Sequence, residues 1–309
     1  MSTPAPAPFP PPVFALLTPM SGENGRPDHG ALRDYLAFLE ERGVQSVMVC
    51  GTTGEFASLQ EKERIRLLAT TRECFAGTVI YHASDPCMET VREYLDACRE
   101  LADGVMMLPP YYYAYPCDEG LLAYFRAVLT GYRGPPVILY HFPRHSQAIV
   151  SPSLFAQLVE EFPEVAGMKD SGGDLAHAQE CMKRGNAIRP VSIYIGSDRM
   201  ALQSLQIGMS GSVTGAGNPV PEALVELTER FRAGEEADAR AAQDRLDDWS
   251  AFRKNLPASE IAIAKAGLAA RLPGFPTAVR PPLVEASPRI KSLVRDFLSG
   301  FADSEEGAA

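Results

Sequence analysis

The chain has 309 residues, 46% of them apolar, and a formal net charge of −10. That length suits one large α/β barrel or two ordinary domains, and the acidic balance argues against nucleic acid or an anionic membrane surface as the main partner. The six cysteines, Cys50, Cys74, Cys87, Cys98, Cys117 and Cys181, are scattered without a Cys-x-x-Cys pair; they read as reduced thiols of a cytoplasmic protein without a metal site.

Met1–Pro12 is rich in proline and alanine, lacks a basic region, and reads as a disordered leader with no export signal. No later run is long and apolar enough to span a membrane. Val13–Thr18 then reads as a buried strand stopped by Pro19, and Asp28–Arg42 places Leu32, Tyr35, Leu36 and Leu39 at helical spacing ahead of Gly43. The alternation continues with strands at Ser46–Cys50, Val79–Ala83, Gly104–Leu108, Val137–Tyr140, Val165–Lys169, Ile193–Gly196 and Gly211–Thr214. Helical patterns fall at Gln60–Phe75, Cys87–Leu101, Asp118–Thr130, Pro152–Phe162, Asp174–Arg184, Asp198–Ile207 and Pro221–Ala233. Eight apolar strands alternating with helices, with no antiparallel hairpin signal, predict a (β/α)₈ TIM barrel over residues 13–233. A doubly wound open sheet is the rival, but its Gly-x-Gly-x-x-Gly turn is missing where this chain has Thr18-Pro19-Met20-Ser21-Gly22. Residues 234–309 hold no strand pattern, and the stretches Glu235–Lys254, Glu260–Ala270 and Pro288–Leu298 read as a helical layer packed on the barrel.

A barrel of this kind builds its site at the C-terminal ends of the strands. The sixth ends on Lys169 and breaks into Asp170-Ser171-Gly172-Gly173. Burying an ammonium is costly, and the neutral amine it favours can attack a ketone and form a Schiff base. A solvated first residue of a loop is the bland alternative. The second strand ends Gly51-Thr52-Thr53-Gly54-Glu55, where two glycines flank paired hydroxyls that could present donors to a carboxylate or simply cap a turn. Tyrosines after the fourth strand (Tyr111, Tyr112, Tyr113) and at the end of the fifth (Tyr140) are candidate proton carriers, or half-buried packing residues. Tyr140 is favoured because its strand neighbours the one carrying Lys169. The eighth strand, Gly211-Ser212-Val213-Thr214, runs into small residues that leave room for a ligand, with Val213 a candidate lining residue.

Taken in order and at barrel spacing, Gly51-Thr52-Thr53-Gly54-Glu55, Pro110-Tyr111-Tyr112, Tyr140-x-x-Pro143 and Gly167-Met168-Lys169-Asp170 resemble the pyruvate-dependent class I aldolases and lyases typified by dihydrodipicolinate synthase and N-acetylneuraminate lyase, from about Val13 to Leu298. The resemblance implies Lys169 as the Schiff-base lysine and Tyr140 as the proton shuttle. It also implies Thr52 relaying towards a Tyr112 that reaches in from a neighbouring subunit, Thr53 and the Gly51 turn holding the carboxylate of pyruvate, and a tetramer built as a dimer of dimers. The departures bear on the second substrate. Arg144 and His145 stand where the synthases place an arginine at the second position, His141 replaces a common asparagine, and His82 lies where a Gly-x-Gly turn is usual. Each histidine is either a contact to the substrate beyond pyruvate or a satisfied structural group. The run after Lys169 is closer to the aldolases of 4-hydroxy-2-oxoglutarate and 2-keto-3-deoxy sugar acids than to the synthases. The expectation is therefore a cofactor-free and metal-free aldolase releasing pyruvate and an aldehyde, with the protonated imine as electron sink. A synthase condensing pyruvate with aspartate semialdehyde, a 2-keto-3-deoxy acid dehydratase and a non-catalytic 2-keto-acid sensor are the alternatives.

Overall fold

The computed structural model describes residues 8–21 and 25–306, residues 301–306 by their backbone alone. Eight parallel strands, β1 (Val13–Ala15), β2 (Ser46–Val49), β3 (Thr78–His82), β4 (Gly104–Met107), β5 (Val137–His141), β6 (Val165–Asp170), β7 (Ser192–Ile195) and β8 (Gly211–Thr214), pair in sequence order, and β8 closes on β1. Closure makes the expected TIM barrel and excludes the open sheet. Each strand is followed by a helix: α1 (His29–Glu40), α2 (Glu61–Cys74), α3 (Met88–Leu101), α4 (Asp118–Leu129), α5 (Pro152–Glu161), α6 (Leu175–Asn186), α7 (Ala201–Gln206) and α8 (Pro221–Ala233). The chain then adds α9 (Glu236–Lys254), α10 (Glu260–Arg271) and α11 (Pro288–Glu306).

The strands read as unbroken apolar runs because helices cover one face and the barrel interior the other, so every residue of β5 is buried. The helices start on local signals. Asp28 accepts from the N–H groups of Gly30 and Ala31 at the head of α1, and Glu63 reaches back to the Gln60 N–H at 2.9 Å to open α2.

The register around Lys169 depends on one glycine. Between β5 and β6 the pairing shifts after Val137↔Val165, so that Ile138 faces Gly167 and Tyr140 faces Lys169. A Cβ on Gly167 would stand 1.9 Å from the Ser192 carbonyl oxygen. Only glycine lets β7 approach there, and any other residue would force the strands apart below Lys169.

Two expectations are corrected, and one element is added. The leader was expected to be disordered over residues 1–12; residues 8–12 are ordered, and residues 1–7 lie outside the described residues. Phe9 is fully buried, and the Tyr194 hydroxyl accepts from its N–H (3.2 Å) and donates to its carbonyl (2.9 Å). Its ring occupies the space a Gly104 Cβ would take, 2.0 Å away, so Phe9 plugs the barrel interior among Val13, Met48, Ile80, Met106 and Tyr194. Burying one phenylalanine in an apolar cluster is worth about 1.5–3 kcal/mol, which fixes a segment that composition alone marks as unstructured. A short antiparallel ladder between Met20–Ser21 and Arg26–Pro27 also stands where no hairpin was expected. Finally, Pro143–Ser146 forms one helical turn directly after β5.

The C-terminal helices grip the top of the barrel. On α9, Gln243 accepts from the Leu202 N–H and donates to the Asp198 carbonyl (both 3.0 Å), and the Trp249 Nε1–H donates to the Ala216 carbonyl at 2.8 Å. These contacts lie beyond the ends of β7 and β8, beside the strand that carries Lys169.

Candidate active site

Lys169 is 4% exposed, and no carboxylate or hydrogen-bond acceptor holds its Nζ among the described residues. Its Nζ lies 4.0 Å from the centre of the Tyr140 ring, as the β5–β6 register requires. The Tyr140 hydroxyl has no hydrogen-bond partner among the described residues either, and the ring stacks on Phe142 at 5.6 Å, which stacks on His145 at 4.1 Å. A stack therefore runs from the buried amine to exposed His145 and Arg144 on the turn after β5. Of the sequence candidates, Lys169 and Tyr140 are in contact, and Arg144 and His145 are on the rim.

The Gly51–Glu55 turn is bracketed by two left-handed non-glycine residues, Cys50 (φ 59°) and Glu55 (φ 58°). Each such residue costs about 1–2 kcal/mol, so something must hold the turn. The Thr18 hydroxyl donates to the Gly54 carbonyl at 2.7 Å. Glu55 accepts from Lys265 Nζ of α10 at 2.5 Å and from the Arg280 N–H at 2.9 Å, and both charged side chains are fully enclosed. Within the turn, Gly51 sits against Met48, and Thr53 packs against Gly215 past β8, where a Cβ would meet its hydroxyl at 2.1 Å. The Thr52 hydroxyl is buried with no partner among the described residues. Tyr112 does not join it: at 86% exposure and φ 92° it projects from the loop after β4, together with exposed Tyr113 and Tyr115.

His82 and His141 are occupied by the protein itself. The His82 Nδ1–H donates to the Cys50 carbonyl (3.0 Å), and its Nε2 accepts from the Ser84 hydroxyl (3.1 Å), which itself accepts from the Leu108 N–H. Burial, then the charges of Arg64 and Lys169, hold His82 well below the ordinary histidine range, and its neutral ring stands edge-on to Tyr140 at 5.8 Å. His141 follows an inward-facing residue and so faces away from the interior. It stacks on His177 of α6 at 4.2 Å and accepts from the Val150 N–H. Val213, expected to line the site, packs into the interior cluster opposite Val13.

The atoms of His141, Asp170 and His177 that could ligate a metal lie within 4.8 Å of one another. Their protons are already assigned, however. The His177 Nδ1–H donates to Asp170 at 2.7 Å and its Nε2–H to the Val150 carbonyl at 3.0 Å, so both nitrogens act as donors and the ring is an imidazolium. Burial opposes that charge, but the Asp170 hydrogen bond and the Cys181 contact outweigh it, and the His177 pKa is pushed up to about 10. Burial pushes His141 the other way, to about 4, with Asp170 opposing and His177 assisting. The group is a closed ion pair behind Lys169, and sequence spacing did not reveal it.

Two further residues were not singled out. Asp198, three residues past β7, is buried, and burial pushes its carboxyl up despite a Thr214 hydrogen bond and the charges of Arg253 and Lys169. Arg253 arrives from the last turn of α9. An acid just past a strand end was a readable signal for Asp198; nothing near Arg253 in the sequence marks it.

The family model for the dihydrodipicolinate synthetase family matches residues 12–300. The chain is 31% identical over 293 residues to a 4-hydroxy-tetrahydrodipicolinate synthase of Symbiobacterium thermophilum, covering 93% of this chain and 96% of the relative. Among solved structures it is similar to a catalytic-lysine mutant of Ruminococcus gnavus sialic acid aldolase (TM-score 0.87, 20% identity, 96% of each chain). It is also similar to the prophage protein YagE of E. coli in complex with pyruvate (TM-score 0.86, 21% identity, 93% of this chain and 97% of that one).

Proposed function

The chain belongs to the dihydrodipicolinate synthetase family, and from that premise we propose that this carbon–carbon lyase is a Schiff-base aldolase that cleaves a 2-keto acid to pyruvate and an aldehyde. The observation that carries the reading is the contact of Lys169 with Tyr140: a buried amine without a counter-ion, 4.0 Å from the ring of a tyrosine whose hydroxyl is unclaimed. The amine attacks the C2 ketone, and the carbinolamine loses water to give the imine. Tyr140 moves the protons of those steps, being a neutral acid that adds no standing charge beside the amine. The protonated imine takes the electron pair of the C3–C4 bond as the C4 hydroxyl loses its proton and leaves as the aldehyde. Protonation at C3 and hydrolysis then release pyruvate and regenerate Lys169.

Thr53 and the Gly51 turn hold the carboxylate, and the orphan Thr52 hydroxyl takes part in the proton path. That hydroxyl and the three exposed tyrosines after β4 support an assembly in which Tyr112 of one subunit completes the site of another; gel filtration with light scattering tests this. The substrate is of the 4-hydroxy-2-oxoglutarate or 2-keto-3-deoxy sugar acid type. His145, replacing the synthase arginine, supports that choice over aspartate semialdehyde. Incubation with pyruvate and sodium borohydride, followed by intact mass and peptide mapping, tests the mechanism. A reduced pyruvyl adduct on Lys169 is expected, and an unmodified Lys169 overturns the reading.

A further inference from the structure

Arg253 sits on the final turn of α9, 7% exposed by its side chain, with no hydrogen bond from its guanidinium among the described residues. Its Nε is fully enclosed and has no acceptor. The nearest carboxylate, Glu260 at the head of α10, lies 4.0 Å away and is 78% exposed, and the Trp249 ring stands at 5.5 Å. A largely buried guanidinium with no hydrogen-bond acceptor is a costly arrangement in a folded chain. Two other arginines of the C-terminal layer avoid it: Arg271 reaches Glu222 at 2.7 Å and Arg280 takes Glu63 through both terminal nitrogens, while Arg245, whose Nε is likewise enclosed, still reaches Glu226 through a terminal nitrogen. Arg253 alone among these four is left without a close acceptor.

Its position gives the orphan donors a use. Gln243 and Trp249, earlier on the same helix, dock on the loops after β7 and β8, which puts Arg253 at the barrel mouth. Asp198 interacts electrostatically with Arg253 on one side and with Lys169 on the other. Across the mouth, Arg144 and Glu260 both act on His145. Two acids, Asp198 and Glu260, therefore face Arg253. One is buried where charge is disfavoured and the other is largely exposed, and neither accepts a hydrogen bond from the guanidinium.

Resting on the aldolase reading above, we propose that Arg253 receives a carboxylate at the far end of the 2-keto acid, so that the preferred substrate is a dicarboxylate of the 4-hydroxy-2-oxoglutarate type rather than a neutral polyhydroxy chain. An arginine fork pairs with a carboxylate through two parallel hydrogen bonds, which selects an anion over a hydroxyl. Pyruvate has no distal carboxylate to meet it.

The test uses the unmodified protein first. 2-Oxoglutarate and 2-oxopentanoate, matched in length and differing in the distal carboxylate, compete against pyruvate in borohydride trapping at Lys169. 2-Oxoglutarate protecting about 10- to 100-fold more strongly supports the proposal, that being the usual worth of hydrogen bonds to a charged group; equal protection overturns it. Arg253→Gln should then raise KM for 4-hydroxy-2-oxoglutarate by a similar factor while leaving kcat and pyruvate trapping unchanged, with Arg253→Lys intermediate. A variant that loses pyruvate trapping or slows both substrate types equally marks Arg253 as structural. Failure of the unmodified protein to trap pyruvate at all overturns the aldolase reading instead.

Discussion

Lys169 and Lys265 are both lysines buried at the top of the same barrel, yet they are held in opposite ways. Lys265 is locked between the Glu55 carboxylate and the Ala278 carbonyl, with no exposed side-chain surface on either charged group. Lys169 has a tyrosine ring and no carboxylate within hydrogen-bond reach. A paired ammonium is a structural rivet. A lysine with no such partner keeps its amine uncommitted and available to a substrate carbonyl. Depth of burial alone does not separate the two; the counter-ion does.

Replacing each lysine sharpens that contrast. Lys169→Ala should lower turnover by about 10⁴-fold or more and abolish borohydride trapping, while its urea midpoint stays at or above that of the native chain because no ion pair is lost. Retained trapping in this variant would break the comparison. Lys265→Met should do the reverse, costing about 3–5 kcal/mol in urea unfolding because Glu55 is left buried and alone. Adding Glu55→Gln should restore part of it, and a Lys265→Met chain as stable as its parent would show the pair to be slack. Tyr140→Phe keeps the ring beside Lys169 but removes its hydroxyl; a drop of about 10²-fold in kcat, with the adduct still forming at high pyruvate, is expected. The smallest effect concerns the ion pair behind Lys169. The folded pKa of His177, about 10, exceeds its ordinary value of 6.5, so its stabilisation is complete below pH 6.5 and fades as pH rises through about 10. After discounting for the ring's partial exposure, about 2 kcal/mol should disappear over that interval. A His177→Gln chain should lack this slope when urea midpoints are compared across the range.

Much of this was legible in the sequence. Closely spaced apolar strands forecast the barrel, and strand ends forecast Lys169 and Tyr140, because both signals are local. The same alternation that turns Tyr140 inward turns His141 outward, so its place behind the site follows from period two. What could not be read came from packing across long separations. Phe9 is hidden in a proline-rich leader whose composition argues for disorder. His82 looks like a substrate contact until Cys50 and Ser84 are seen to claim both nitrogens. Glu55 and Arg253 take their meaning from helices folded back over the barrel, for which no spacing rule exists.

Phe9 and the side chains packed on it fill the barrel interior, which leaves Lys169 to be approached from the mouth. On the proposed reading, a 2-keto acid joined to Lys169 through its C2 carbon points its distal end towards that mouth, and the imine keeps the pyruvate half in place after cleavage. The aldehyde would then leave first and the pyruvate half only after its imine is hydrolysed, so added pyruvate should compete with substrate for the free lysine while added aldehyde should not.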